Sequence, residues 1–169
     1  VETMLLPSWI PFNIYEFASW ARGTIVGCMV LLTLKPVCPA PDFARIDELY
    51  PQGREKTSYT FGKRGKLISW NSFFRVMDGA LRVMDRFPVR PLRRLALNKA
   101  EQWMLERQEE DGSWAGIQPP WVYSLIALHT MGYGPEHEAV RDGFQGFEGF
   151  AIEDDDSCTV QACLSPVWD

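Results

Sequence analysis

Residues 99–123 constrain the fold of this chain more than any other part of the sequence. They predict a helix followed by a turn at Gly112, because glycine accepts the left-handed backbone that ends many helices. A second helix is predicted to open at the Gln-Pro-Pro of 118–120, since proline in a first turn sacrifices no hydrogen bond. The amide of Gln108 and the indole of Trp114 flank the turn. We expect these two side chains to connect the helices by bonding backbone groups at helix ends, which is a structural role and not a catalytic one.

The remaining sequence predicts further helices joined by irregular segments. Periodicity of apolar residues predicts a largely buried helix over 12–34, an amphipathic helix over 70–87, outer helices over 92–107 and 136–147, and an inner helix over 119–131. The intervening stretches 1–10, 35–66 and 150–164 are predicted to be connections, and the long middle one is expected to wrap over the surface. A weak repeat places Gln-Pro-Pro-Trp at 118–121 and Ser-Pro-Val-Trp at 165–168, 47 residues apart. Paired helices at such a period favour an all-α fold of stacked hairpins.

Several stretches resemble one known family. The residues that carry the resemblance to the QW motif of triterpene cyclases are Lys99, Ala100, Trp103, Met104, Gln108, Gly112 and Trp114. Residues 11–22, 116–123 and 165–169 are similar to the squalene–hopene cyclase branch of that family. The resemblance implies that residues 1–169 are a central, incomplete part of an α/α-barrel terpene cyclase domain. It also implies cyclisation of squalene to pentacyclic triterpenes, as in hopanoid biosynthesis, through a carbocation cascade started by a proton.

The same resemblance implies a set of residues that line the central cavity. These substrate-cavity residues are Phe17, Trp20, Ile117, Gln118, Pro119, Tyr123 and Trp168. The resemblance implies that Ile117 shapes the folded polyene, that Trp168 contacts the substrate, and that Gln118 with Tyr123 holds water near the terminating cation. Aromatic faces suit such a cavity, because the ring quadrupole stabilises a cation without offering it a lone pair.

The acidic run at 153–156, Glu-Asp-Asp-Asp, invites comparison with the Asp-x-Asp-Asp acid of these cyclases. We interpret it instead as a solvated loop, since the family's acid lies in a different sequence context and on another repeat. No catalytic residue is therefore expected within this stretch. Because the sequence starts at Val1 and stops at Asp169, just after a predicted helix start, we expect it to be part of a longer protein and inactive alone.

The amphipathic helix over 70–87 stands in a basic part of an acidic chain. Residues 54–99 hold 12 Lys or Arg against 3 Asp or Glu, whereas the whole chain has a net charge of −5. This pattern is typical of contact with an anionic membrane surface, although a core-facing helix would show the same apolar stripe. The cyclases that the chain resembles are monotopic membrane enzymes that take squalene from the bilayer, so we expect membrane association at the cytoplasmic face. The residues predicted to contact the membrane are Phe73, Phe74, Met77, Leu81 and Met84.

Composition and spacing disfavour several other functions. Two His and four Cys residues, at spacings that fit no zinc or redox motif, predict no metal, no cofactor and reduced thiols. The longest uncharged apolar run has 12 residues, below the about 20 that a spanning helix needs. No aromatic–basic motif for nucleic acid accompanies the basic segment. A prenyltransferase subunit would need zinc ligands. A carbohydrate-active enzyme would need paired carboxylates. A non-enzymatic helical-repeat module would need a polar concave face. The resemblance allows a homodimer, and it leaves open whether squalene or a related polyprenoid is the substrate.

Overall fold

A computed structural model of the chain describes residues 1–11, 13–44, 46–57 and 69–163. The α-helices in these ranges are α1 Ser19–Leu34, α2 Trp70–Arg86, α3 Arg90–Leu105, α4 Gln118–Thr130 and α5 Glu138–Glu148. Short 3-10 turns lie at Glu2–Leu5, Ile14–Glu16, Asp42–Ala44, Asp47–Leu49 and Arg54–Lys56. An antiparallel hairpin of β1 Ala151–Asp154 and β2 Ser157–Val160 follows α5. The predicted helical fold class is confirmed, and the hairpin is a small addition within the predicted connection at 150–164.

The chain divides into two compact units. The first takes its residues from Val1–Pro36 and Val89–Asp169, and it contains α1, α3, α4, α5 and the hairpin. The second is Val37–Pro88 and contains α2 together with three of the 3-10 turns. In the second unit the Ser69 side chain caps α2 by accepting a hydrogen bond of 3.2 Å from the Ser72 backbone N–H. The structure thus places α2 close to the bounds that its apolar periodicity predicts.

The first long helix begins later than its apolar pattern predicts. Asn13 is buried, and its side chain accepts a bond of 2.8 Å from the Tyr15 N–H while donating one of 2.8 Å to the Ile10 carbonyl. These local bonds hold a 3-10 turn in front of α1, because an asparagine amide competes with helical hydrogen bonding. The expectation of a helix buried on most sides is also wrong. One face of α1 packs against α3 and α4, and residues off that face, such as Leu32, are exposed.

Two glycines let α1 and α4 approach closely. A Cβ atom added at Gly23 would lie 2.7 Å from the Cβ of Pro120, and one added at Gly27 would lie 2.8 Å from the Cβ of Tyr123. Both distances are shorter than real side chains allow, so only glycine permits this helix spacing. The glycines lie one turn apart and share the buried face of α1 with Val26.

The core of the first unit takes side chains from α1, α3, α4 and α5, and directional contacts join the last three of these helices. Trp121 is fully buried, and its ring meets Phe147 and Phe150 edge-on, at centroid distances of 5.4 Å and 4.9 Å. At the other end of α4, the Tyr133 hydroxyl donates a hydrogen bond of 2.6 Å to the Glu101 carboxylate on α3. That hydrogen bond, with burial and the charge of Glu101, raises the pKa of Tyr133 to about 12. The three helices are therefore fixed to one another by directional contacts as well as by apolar packing.

Candidate functional site

The turn between α3 and α4 is anchored by the side chains of Gln108 and Trp114. The Gln108 Nε2 donates hydrogen bonds of 3.1 Å to the Gly112 carbonyl and 2.8 Å to the Ala139 carbonyl in the first turn of α5. The buried Trp114 Nε1 donates a bond of 2.8 Å to the Met104 carbonyl near the end of α3. The turn between α3 and α4 is thereby joined to the end of α3 and to α5, which starts 24 residues after Trp114. Both side chains donate to backbone carbonyls, so their role is structural and not catalytic.

A second indole holds α5 one helical turn further along. The Trp121 Nε1 on α4 donates a buried hydrogen bond of 3.0 Å to the Gly143 carbonyl, four residues after Ala139. A Cβ atom added at Gly143 would lie 2.7 Å from Leu125 Cδ2, so α5 also approaches α4 closely there. Two carbonyls on one face of α5 therefore accept side-chain donors, one from the turn and one from α4.

Gly112 satisfies two requirements at once. Its φ of 82° is a left-handed conformation that side-chain-bearing residues rarely adopt. A Cβ atom at this position would also lie 2.6 Å from the carbonyl carbon of Asp142 on α5. The sequence pattern predicts the first requirement, whereas the backbone contact with α5 is visible only in the fold.

Four of the predicted cavity residues, which lie just before α1, on α1 and on α4, are exposed to solvent. The exposed fractions are 43% for Phe17, 53% for Trp20 and 37% for Tyr123, and Pro119 is exposed as well. Such large aromatic side chains left uncovered are informative, because they normally mark a surface that meets a ligand or another part of a protein. Their assignment to a substrate cavity stays a prediction.

The start of α4 is tied to the segment that follows the hairpin. The Gln118 backbone N–H donates a hydrogen bond of 3.0 Å to the Ala162 carbonyl, and its Nε2 donates one of 2.5 Å to the Gln161 carbonyl. Ile117 pairs with Cys163 in an isolated antiparallel bridge. Trp168 lies outside the described residues. Sequence reasoning missed the backbone bonding of Gln118, since no local pattern reveals a partner about forty residues away.

The residues predicted to contact a membrane form an uncovered apolar face on α2 of the second unit. Phe73, Phe74, Met77, Leu81 and Met84 are exposed by 44–62%. Trp70 stacks against this face, with its ring edge-on to Phe73 at a centroid distance of 5.9 Å. None of the helices that the structure describes has the length and apolar character needed to cross a bilayer.

The acidic run at 153–156 lies on the exposed hairpin. Asp155 and Asp156 form its two-residue turn, and the flanking Asp154 pairs with Ser157. Within the described ranges, no group of three or more His, Cys, Asp or Glu side chains is arranged to hold a metal ion. The run therefore lies in a solvated hairpin, and its lack of an acid role stays a prediction.

Comparison with known proteins defines the class of this chain. Residues 1–156 match the family model of the squalene-hopene cyclase N-terminal domain, whose members have the helical toroid fold of terpene cyclases. Squalene–hopene cyclase of Alicyclobacillus acidocaldarius is 42% identical over 169 residues, which cover 99% of this chain and 26% of that protein. Dammaradiene synthase of Dryopteris crassirhizoma is 41% identical over 167 residues, 98% of this chain and 24% of that protein. Squalene–hopene cyclase of Bradyrhizobium diazoefficiens is 31% identical over 169 residues, 100% of this chain and 26% of that protein.

The chain belongs to the squalene–hopene cyclase family of terpene cyclases. It spans about a quarter of the length of the curated relatives that it matches. Family membership accounts for the resemblance in the turn segment and disfavours the prenyltransferase, carbohydrate-active and non-enzymatic alternatives.

The amide donor of Gln108 gives a first test. We expect Gln108→Glu to destabilise the protein by about 2–4 kcal/mol at neutral pH, because a carboxylate there faces two carbonyl oxygens and donates nothing. The two carbonyls raise the pKa of the introduced carboxyl above its ordinary value of about 4.3. The loss of stability is therefore smallest at pH values below about 4.3, where the carboxyl has a proton to donate, and it is largest at pH values above the raised pKa. Thermal unfolding at about pH 7 and about pH 4 measures both effects.

Gln145→Glu on the exposed side of α5 is the matched control and should change stability by less than about 0.5 kcal/mol. An unchanged melting temperature for Gln108→Glu at neutral pH would show that the amide bonds are dispensable.

Proposed function

We propose that the longer protein to which this chain belongs cyclises squalene, or a related polyprenoid, to pentacyclic triterpenes of the hopanoid type. The observation that carries the proposal is a set of exposed aromatic residues in a chain of the squalene–hopene cyclase family: Phe17 just before α1, Trp20 on α1 and Tyr123 on α4. Relatives named squalene–hopene cyclases support squalene as the substrate class. The names of the same relatives support the proposed type of product.

The proposed mechanism assigns these side chains to charge stabilisation. Protonation of a terminal alkene starts a cascade in which positive charge moves through a hydrocarbon, and the site must exclude water until the last step. Ring faces such as those of Trp20 and Trp168 stabilise the moving cation, while Ile117 shapes the folded polyene. Gln118 and Tyr123 are proposed to hold the water that meets the final cation. The proton donor is proposed to lie outside residues 1–169, since 153–156 forms an exposed hairpin.

Product analysis of the full-length protein tests the proposal. Incubation with squalene in detergent micelles, followed by gas chromatography and mass spectrometry, should give a pentacyclic product. Trp20→Ala should lower turnover at least about tenfold or release less cyclised products, because a ring over a desolvated cation is worth about 2 kcal/mol. Residues 1–169 alone should give no cyclic product.

Trp9→Ala is the control, since Trp9 is 80% exposed and lies in the segment before α1, outside the predicted cavity. It should keep the rate and the product. A full-length protein that leaves squalene unchanged would overturn the proposed function, and a wild-type product spectrum from Trp20→Ala would remove that residue from the cavity.

We also propose that α2 of the second unit inserts shallowly into one leaflet of a membrane at the cytoplasmic face. Three observations support this: its apolar face is uncovered in the described chain, the opposite face carries Arg75, Arg82 and Arg86, and residues 54–99 are strongly basic. Basic side chains beside an apolar face favour anionic lipid headgroups. A homodimer stays a prediction.

Vesicle sedimentation of the full-length protein tests the membrane proposal. Replacing Phe73, Met77 and Leu81 by Ser should weaken binding to anionic liposomes at least about tenfold, because each of these side chains gains about 1.5–3 kcal/mol when fully buried. The control replaces Asn71 and Gly79, on the polar side of α2, by Ser and should bind as the wild type does. Equal binding by the apolar-face variant would contradict the proposal.

A further inference from the structure

The contact between α1 and α4 bears directly on the predicted cavity. At Gly27 the atoms nearest to an added Cβ are the Cβ of Tyr123 at 2.8 Å, its carbonyl carbon at 2.9 Å and its carbonyl oxygen at 3.0 Å. Because two of these atoms are backbone, no change of side-chain rotamer makes room for a methyl group. The backbones of α1 and α4 would have to move apart at Tyr123.

The exposed Trp20 lies on the same face of α1 as Gly27. Trp20 and Gly27 are seven residues apart on α1, which places them on one side of the helix, two turns from each other. Gly23 lies between them and packs against Pro120 in the first turn of α4. The spacing of α1 and α4 at these two glycines therefore fixes where Tyr123 stands relative to Trp20. Both aromatic residues are more than a third exposed, so neither is held by a surrounding core.

We propose that Gly27, assisted by Gly23, is a positioning residue that sets where Tyr123 stands and thereby how the cyclisation ends. This inference rests on the proposed function. A carbocation ends either by losing a proton to water or another base, which gives an alkene, or by gaining a water molecule that then loses a proton, which gives an alcohol. The ratio of the two products depends on where the residues that hold water stand. Gly27 acts through Tyr123 and does not touch the substrate.

The test is the alcohol-to-alkene ratio formed from squalene by the full-length protein. Gly27→Ala should change this ratio at least about threefold, a modest effect beside the about hundredfold that a 1 Å misplacement can cost. Gly79→Ala is the matched control, because Gly79 lies inside α2 with nothing within 4 Å of an added Cβ, and it should leave the ratio unchanged. The ratio is measured on folded protein, so a fall in melting temperature alone does not alter it.

The Gly23→Ala variant and a Tyr123→Ala background provide two further tests of the inference. Gly23→Ala is the milder change, because the Cβ of Pro120 at 2.7 Å is the one close atom and the next nearest lie at 3.8 Å. It should shift the ratio in the same direction where Gly27→Ala yields too little folded protein. In a Tyr123→Ala background, Gly27→Ala should produce a smaller shift than in the wild type, because the ring of Tyr123 is then absent although the backbone contact remains.

The possible results separate the inference from the proposed function. A wild-type product ratio from folded Gly27→Ala or Gly23→Ala protein would overturn the inference and leave the function standing, as would an equal shift in the Tyr123→Ala background. A wild-type enzyme without cyclic products would overturn the proposed function, and the inference with it.

Discussion

The structure of the first unit depends on two backbone carbonyls of α5 that accept hydrogen bonds from side chains outside that helix. Gln108 in the turn bonds to Ala139, and Trp121 on α4 bonds to Gly143. Such bonds each contribute about 1 kcal/mol net, but leaving a buried partner unsatisfied costs about 1–3 kcal/mol. Because the bonds are directional and one turn apart, they fix the rotation of α5 as well as its distance from α4.

The exposed aromatic surface follows from this arrangement. The helix α4 packs most extensively against α1 and also against α5, and the glycines of α1 bring that helix directly onto the backbone of α4 at Tyr123. The hydrogen bonds from Gln118 to residues 161 and 162 then hold the first turn of α4 from its other end. Residues that pack the helices together thus alternate with predicted cavity residues along α1 and α4.

Sequence reasoning predicts the parts of this fold that local chemistry decides. The family, the helical class, the left-handed backbone at Gly112 and the bounds of α2 follow from periodicity, turn residues and motif spacing. It fails where a polar side chain bonds to backbone groups, whether these are near it in the sequence or distant. The side-chain hydrogen bonds of Asn13 delay the start of α1. The backbone partners of Gln118 lie after a hairpin that the short acidic run does not predict. Gly23 and Gly27 lie four residues apart in an apolar helix. This spacing indicates close helix packing, which the periodicity of apolar residues does not predict.

Hydrogen exchange of the α5 backbone amides in the full-length protein tests the shared anchoring of α5 most directly. The local opening free energy is compared for wild type, Gln108→Ala, Trp121→Phe and the double variant. If both side chains hold one helix, loss of either frees it in part, and the double variant should lose less stability than the two single losses combined, by at least about 0.5 kcal/mol. Single losses that add to within about 0.3 kcal/mol, or α5 amides that exchange as in the wild type, would contradict the account.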